Sequence, residues 1–69
     1  MLEKLVTNAN QIGAFFRAQG EAAAPAAIAD HLRRFWDPVM RADIVAHLER
    51  GGEGLDPLVR RGVELLRAP

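Results

Sequence analysis

Two Asp-Pro pairs, Asp37-Pro38 and Asp56-Pro57, limit the folds open to this chain more than any other feature. Proline disfavours a helical conformation in the residue before it, and aspartate is a favoured residue at the N-terminal cap of a helix. Proline itself is tolerated in the first helical turn, where its missing N–H group has no partner to lose. Each pair therefore predicts that one helix ends and that another begins at once.

Two apolar residues and then an arginine follow each pair, so an arginine stands four residues after each aspartate. A spacing of four brings two side chains to the same face of a helix, where opposite charges attract. We therefore expect Asp37 to pair with Arg41, and Asp56 to pair with Arg60. A true repeat would need more matching positions than these. We interpret the similarity of the two segments as the same type of helix start occurring twice.

Apolar residues at steps of three and four predict four helices. The first covers about residues 3–18 and ends at Gln19-Gly20, the second starts near Pro25, the third runs from Asp37-Pro38 to Gly51-Gly52, and the fourth follows Asp56-Pro57. The apolar stripe of the second helix is predicted to hold Ile28, His31, Leu32 and Phe35. No segment alternates with period two, so no strand is expected. The predicted fold class is all-α, a small bundle of about four short helices, with residues 1–69 as a single domain.

Length and composition exclude several classes of protein. The chain has 69 residues and no cysteine, so disulfides and thiolate-held zinc or iron–sulfur clusters cannot stabilise its small core. Docking onto a partner or self-association is the expected alternative. The formal net charge is zero, which argues against binding to nucleic acid. No apolar run reaches the roughly 20 residues that span a bilayer, and the N-terminus lacks a signal-peptide pattern. We expect a cytoplasmic protein that does not enter the membrane.

No residue stands in a recognisable catalytic or metal-binding setting. Serine, tyrosine and cysteine are absent, and the single threonine is Thr7. His31 and His47 both fall on apolar stripes without a second ligand at helical spacing, so both are interpreted as hydrogen-bonded histidines at the edge of the core. The glycines at positions 51, 52 and 54 precede a helix but lie among acidic residues that repel phosphate. No catalytic, cofactor-binding or metal-binding residue is predicted.

The segment 30–41 instead combines aromatic, arginine and methionine residues, a composition typical of protein interfaces. Phe35 lies on the apolar stripe and is expected to close a corner of the bundle. Trp36 lies at the edge of the stripe, and a place in the core and a place in an interface are equally open to it. In the first helix, Phe15 points about 100° away from the apolar face. The candidate protein-binding residues are Phe15, Arg34, Trp36, Asp37, Pro38, Met40 and Arg41.

Several short motifs carry a resemblance to a known family. They are Asn10-Gln11-Ile12, Phe15-Phe16, Ile28-Ala29-Asp30-His31, Phe35-Trp36-Asp37-Pro38, Met40-Arg41, His47-Leu48 and Gly54-Leu55. Together they resemble the delta subunit of NAD-dependent formate dehydrogenases, the cytoplasmic enzymes with molybdenum or tungsten, from about residue 5 to residue 63. Val39 departs from the arginine expected there, which weakens a role for a basic side chain at that position.

The resemblance implies an accessory subunit without a cofactor of its own, which supports assembly or stability of the complex by docking on the catalytic alpha subunit. The alpha subunit would hold the molybdopterin cofactor, with molybdenum or tungsten, and iron–sulfur clusters. The beta and gamma subunits, as further contacts, would pass electrons to NAD through FMN and more clusters. Two alternatives stay open from the residues: a freestanding regulatory homodimer, and, less favoured by the neutral charge, a helix-turn-helix protein that binds nucleic acid.

Overall fold

The structure, a computed structural model, describes residues 1–68. These residues form four α-helices and no strand, so the predicted all-α fold is confirmed. The helices are α1 (Leu2–Gln19), α2 (Ala24–Phe35), α3 (Pro38–Glu49) and α4 (Pro57–Arg67). Helices α3 and α4 begin at the two prolines, as the Asp-Pro pairs predict. None of the helices within residues 1–68 is both long enough and apolar enough to cross a membrane.

The two aspartates adopt the same extended backbone conformation but cap their helices differently. The carboxylate of Asp37 accepts a hydrogen bond of 2.9 Å from the backbone N–H of Met40, the usual geometry of an N-cap. Asp56 also precedes its helix in an extended conformation, yet its carboxylate accepts no such bond. Its backbone N–H donates instead to the side chain of Asn10 in α1, over 3.0 Å.

The predicted ion pairs between each aspartate and the following arginine do not form, so that prediction is wrong. Arg41 donates from Nη1 to the carbonyl oxygens of Arg33, over 3.2 Å, and of Trp36. Arg60 donates from Nη1 to the carbonyl oxygen of Gly52 over 2.8 Å. The carbonyls at the end of a helix and in a loop have no helical partner, so a nearby guanidinium gains more by reaching them.

Helices α2 and α4 make the most extensive contact in the bundle, and α1 and α3 cover the remaining sides of this pair. Five large side chains are fully buried between the helices: Ile28, Leu32, Ile44, Val59 and Val63. Small residues are buried as well, among them Ala9, Gly13, Ala24, Ala29 and Gly62. Gly13 lies against Val59 of α4, and Gly62 lies against Ile28 of α2, so the lack of a side chain at these two positions lets the helices approach closely.

Candidate protein-binding site

The core position that the sequence pattern favours for Phe35 is occupied by its neighbour Trp36. Trp36 is only 5% exposed and belongs to the core, whereas Phe35 is 70% exposed. Ile28, Leu32 and Trp36 follow one another at a spacing of four and continue the buried side of α2 past its last residue. Phe35 lies about 100° around the helix from that line. The expectation that Phe35 closes the bundle is corrected. Of the two places left open for Trp36, the structure shows the one in the core, so little of this candidate protein-binding residue is exposed.

Four more of the candidate residues in the segment 30–41 have roles within the chain. Asp37 caps α3, and Pro38 is its exposed first residue. Met40 is half-buried and packs against the core. Arg41 is half-buried and donates to the carbonyls at the end of α2. Met40 and Arg41 therefore have little surface left for a partner, whereas Asp37 and Pro38 remain exposed.

Arg34, also in this segment, lies fully on the surface. Its Nε atom is 3.2 Å from a carboxylate oxygen of Asp30, one turn earlier in α2, and both side chains are more than half exposed. An exposed pair of this kind contributes little to stability. Arg34 is therefore available to a partner in a way that Arg41 is not.

Four rings from α1 and α2 form a continuous row on the surface, which we call the aromatic surface. The ring centroids of Phe15 and Phe16 are 5.1 Å apart, those of Phe16 and His31 are 5.9 Å apart, and those of His31 and Phe35 are 4.7 Å apart. Phe15 and Phe35, at the two ends, are 60% and 70% exposed, while Phe16 and His31 between them are half-buried. The exposure of Phe15 agrees with its position off the stripe.

Sequence reasoning placed Phe15 in the candidate site but left out Phe35, the other end of the aromatic surface. The sequence contained a partial signal, because a helical stripe can continue from Leu32 by a step of three, to Phe35, or by a step of four, to Trp36. Only one of two adjacent aromatic residues can continue a spacing of four from Ile28 and Leu32, and that residue is Trp36. Phe35 is then left to point away from the core.

The two histidines have different surroundings. His47 is half-buried, and its Nε2 atom lies 2.7 Å from the carbonyl oxygen of Glu53, so this nitrogen carries the hydrogen. The prediction of a hydrogen-bonded histidine at the edge of the core is confirmed for His47. The His31 ring contacts the rings of Phe16 and Phe35. It makes no hydrogen bond within residues 1–68, so the prediction of a hydrogen-bonded histidine is wrong for His31.

The glycine-containing loop between α3 and α4 is held by side chains from three helices. Three consecutive carbonyl oxygens each take part in one such bond: Gly52 with Arg60 of α4, Glu53 with His47 of α3, and Gly54 with Asn10 of α1 over 2.8 Å. Gly52 and Gly54 have positive φ angles of 63° and 88°, which glycine adopts without strain. The loop is thus bonded to three of the four helices.

Metal-ligand side chains do not converge anywhere in residues 1–68: no group of three or more histidine, aspartate or glutamate residues lies close enough to hold an ion. The sequence contains no cysteine. The described residues therefore offer no ligand set for a metal ion or an iron–sulfur cluster.

The fold and the surface together define a small all-α protein with an exposed aromatic surface on two adjacent helices. Residues 4–63 match the family described as the NADH-dependent formate dehydrogenase delta subunit FdsD, and the chain belongs to this family. The match covers most of the chain and agrees with the resemblance carried by the sequence motifs. Comparisons with curated proteins and with solved structures give no match.

Proposed function

We propose that this chain is a non-catalytic accessory subunit that supports assembly or stability of an NAD-dependent formate dehydrogenase by docking on its catalytic alpha subunit. The observation that carries the proposal is the family match over residues 4–63. The beta and gamma subunits are further partners that the docked chain could contact. Under this proposal the complex is cytoplasmic.

Several polar side chains form hydrogen bonds within the chain, which supports a role without catalysis. Asn10, Arg41, His47 and Arg60 all bond to backbone groups of their own chain. These residue types often act in catalysis or in ligand binding, and here they hold helix ends and a loop. The exposed side chains that remain for a partner include the aromatic ones of Phe15 and Phe35. Aromatic side chains are enriched in protein interfaces.

The redox cofactors belong to the other subunits under this proposal. Molybdopterin with molybdenum or tungsten, iron–sulfur clusters, FMN and the NAD site would all lie outside this chain. The ligand chemistry supports this division, since clusters are held mainly by cysteine thiolates and the chain has no cysteine. The contribution of this chain would then be to hold a partner in a form that keeps its cofactors.

The test is to express the formate dehydrogenase subunits with and without this chain and to purify them through a tag on the alpha subunit. We expect the chain to co-purify with the alpha subunit, and its omission to lower both the yield of active complex and the metal content per alpha subunit. Activity per metal-loaded complex should stay the same, because the chain takes no part in the reaction. A complex equally abundant, loaded and stable without the chain would contradict the proposal.

Adding the purified chain after the other subunits have been expressed distinguishes a role in assembly from a role in stability. If the chain stabilises the finished complex, then adding it to subunits expressed without it should slow their loss of activity on storage. If it acts during assembly, only co-expression should restore the metal content. The readouts are residual formate-dependent NAD reduction over time and metal analysis.

A further inference from the structure

We propose that the aromatic surface is the docking surface, and that Phe15 and Phe35 insert into an apolar recess on the larger alpha subunit. This inference rests on the proposed function, because it names the surface used and the chemistry of the partner. Trp36 and Arg41 are not part of this surface, because Trp36 is buried and Arg41 bonds to backbone carbonyls of its own chain. Phe35, which the sequence pattern assigned to the core, is part of it.

The exposure of the two terminal rings is the first argument. Phe15 and Phe35 are 60% and 70% exposed, although phenylalanine is among the residues most often buried in folded proteins. They come from two different helices and stand at the ends of one row of rings. Single exposed apolar residues are ordinary, but these two phenylalanines are joined by the half-buried rings of Phe16 and His31 into one continuous aromatic surface.

The rings are also held in place before any partner binds. Phe15 packs edge-to-face on Phe16, at an interplanar angle of 78°, and Phe35 packs on His31 with a tilt of 41°. Phe16 in turn packs against the core. Side chains that are already ordered lose less entropy on binding, so each contact with a partner contributes more to affinity.

The size of the surface favours a larger partner over a second copy of this chain. Phe15 and Phe35 together expose roughly 260 Å² if each ring offers about 200 Å² when fully exposed. A stable interface buries about 800 Å² on each partner. Two copies of this chain that met only through the two rings would fall well short of that area. A recess in a larger subunit can take up both rings and also contact their surroundings.

The charges beside the rings indicate a partner surface without strong net charge. Arg34, next to Phe35 in α2, pairs with Asp30 at 3.2 Å. This pair is neutral, so neither an acidic nor a basic partner surface is favoured. Docking through apolar contacts between neutral surfaces should depend little on salt.

The experiment uses the full chain co-expressed with the tagged alpha subunit. The double variant Phe15→Ser plus Phe35→Ser is compared with the wild type and with Val39→Ser. Val39 is a matched control, since it is apolar and 69% exposed but lies in α3, outside the aromatic surface. We expect the double variant to lower the amount of chain retained on the alpha subunit at least tenfold. Val39→Ser should stay within twofold of wild type, and wild-type retention should survive about 0.5 M salt.

Circular dichroism on the isolated variants confirms that they fold, because exposed substitutions should leave the helical content unchanged. If the folded double variant is retained like the wild type, the aromatic surface is not the docking surface, while the proposed function stands. If the wild-type chain itself is not retained, the proposed function fails, and this inference fails with it. Light scattering gives a third outcome: a stable dimer of the isolated chain that the double variant abolishes would assign the surface to a second copy and overturn the inference.

Discussion

Gly62 of α4 lies directly against Ile28 of α2. A Cβ atom at position 62 would stand 2.7 Å from Cγ2 of Ile28 and 3.2 Å from the carbonyl oxygen of Pro25. The first neighbour is the branched part of a fully buried side chain, and the second is backbone, so neither can move away easily. This close approach of α2 and α4 therefore requires a residue without a side chain at position 62.

We predict that Gly62→Ala destabilises the chain, although alanine is the better helix former. The added methyl group overpacks the contact between α2 and α4, which costs about 1–3 kcal/mol, and the gain of about 1 kcal/mol in helix propensity offsets part of this. Urea unfolding followed by circular dichroism measures the change. Glu64→Ala, at an exposed position of the same helix, is the control and should change stability by less than about 0.5 kcal/mol. A Gly62→Ala variant at least as stable as wild type would show that the helices can separate freely.

Trp36→Ala should destabilise the chain far more than Phe35→Ala. Truncating a buried tryptophan costs about 3–5 kcal/mol, which approaches the whole free energy of unfolding of so small a chain, so Trp36→Ala should be largely unfolded. Phe35→Ala removes a ring that is mostly in water and should cost less than about 1 kcal/mol. Circular dichroism and urea unfolding measure both. Equal losses of stability would mean that the burial of these two neighbours is misassigned.

The single tryptophan gives an independent check of its burial. Because Trp36 is 5% exposed, its fluorescence in the native chain should be poorly quenched by acrylamide, and its emission should shift to the red on unfolding. Free quenching under native conditions would contradict the buried position.

Arg41 and Arg34 provide a matched comparison of two arginines seven residues apart. Arg41 bonds to carbonyls at the end of α2, whereas Arg34 is exposed and meets only Asp30. We expect Arg41→Ala to lower the free energy of unfolding by about 1.5–3 kcal/mol, the usual contribution of hydrogen bonds to a charged group. Arg34→Ala should lower it by less than about 0.5 kcal/mol. Urea unfolding of both variants decides, and a greater effect at position 34 would be incompatible with the bonding described.

The two aspartates before α3 and α4 allow the same kind of comparison. Asp37→Ala removes a bond to the N–H of Met40 and should cost about 1 kcal/mol. Asp56→Ala removes a carboxylate that caps nothing, so only its attraction to the helix dipole is lost, about 0.5 kcal/mol or less. Thermal unfolding compares them. If Asp56→Ala proved the more damaging, its carboxylate would have to bond elsewhere.

Local features of the sequence were enough to predict the helices. The starts of α3 and α4 at Pro38 and Pro57 follow from steric restrictions between adjacent residues, and the end of α1 next to Gly20 follows from the freedom of glycine. These effects act over a few residues and do not depend on what packs nearby. The family resemblance was likewise readable, because its motifs are runs of adjacent residues.

The candidate site was predicted less well, since it depends on which of two neighbouring side chains meets the core. Phe35 and Trp36 are both aromatic and differ by one helical step, so hydrophobicity does not distinguish them. Arg41 could reach either the carboxylate of Asp37 or the carbonyls of α2, and helical spacing alone favours the wrong one.

By itself, the sequence determined that this chain is helical, where its helices start, and that it has no cysteine for disulfides or clusters. Only the tertiary structure decided that Trp36 is buried, that Phe35 is exposed beside His31, and that Arg41 bonds to backbone. The physical reason is the range of the interactions. A helix start is set by contacts between adjacent residues, whereas burial and hydrogen-bond partners depend on how α1, α2 and α4 approach one another.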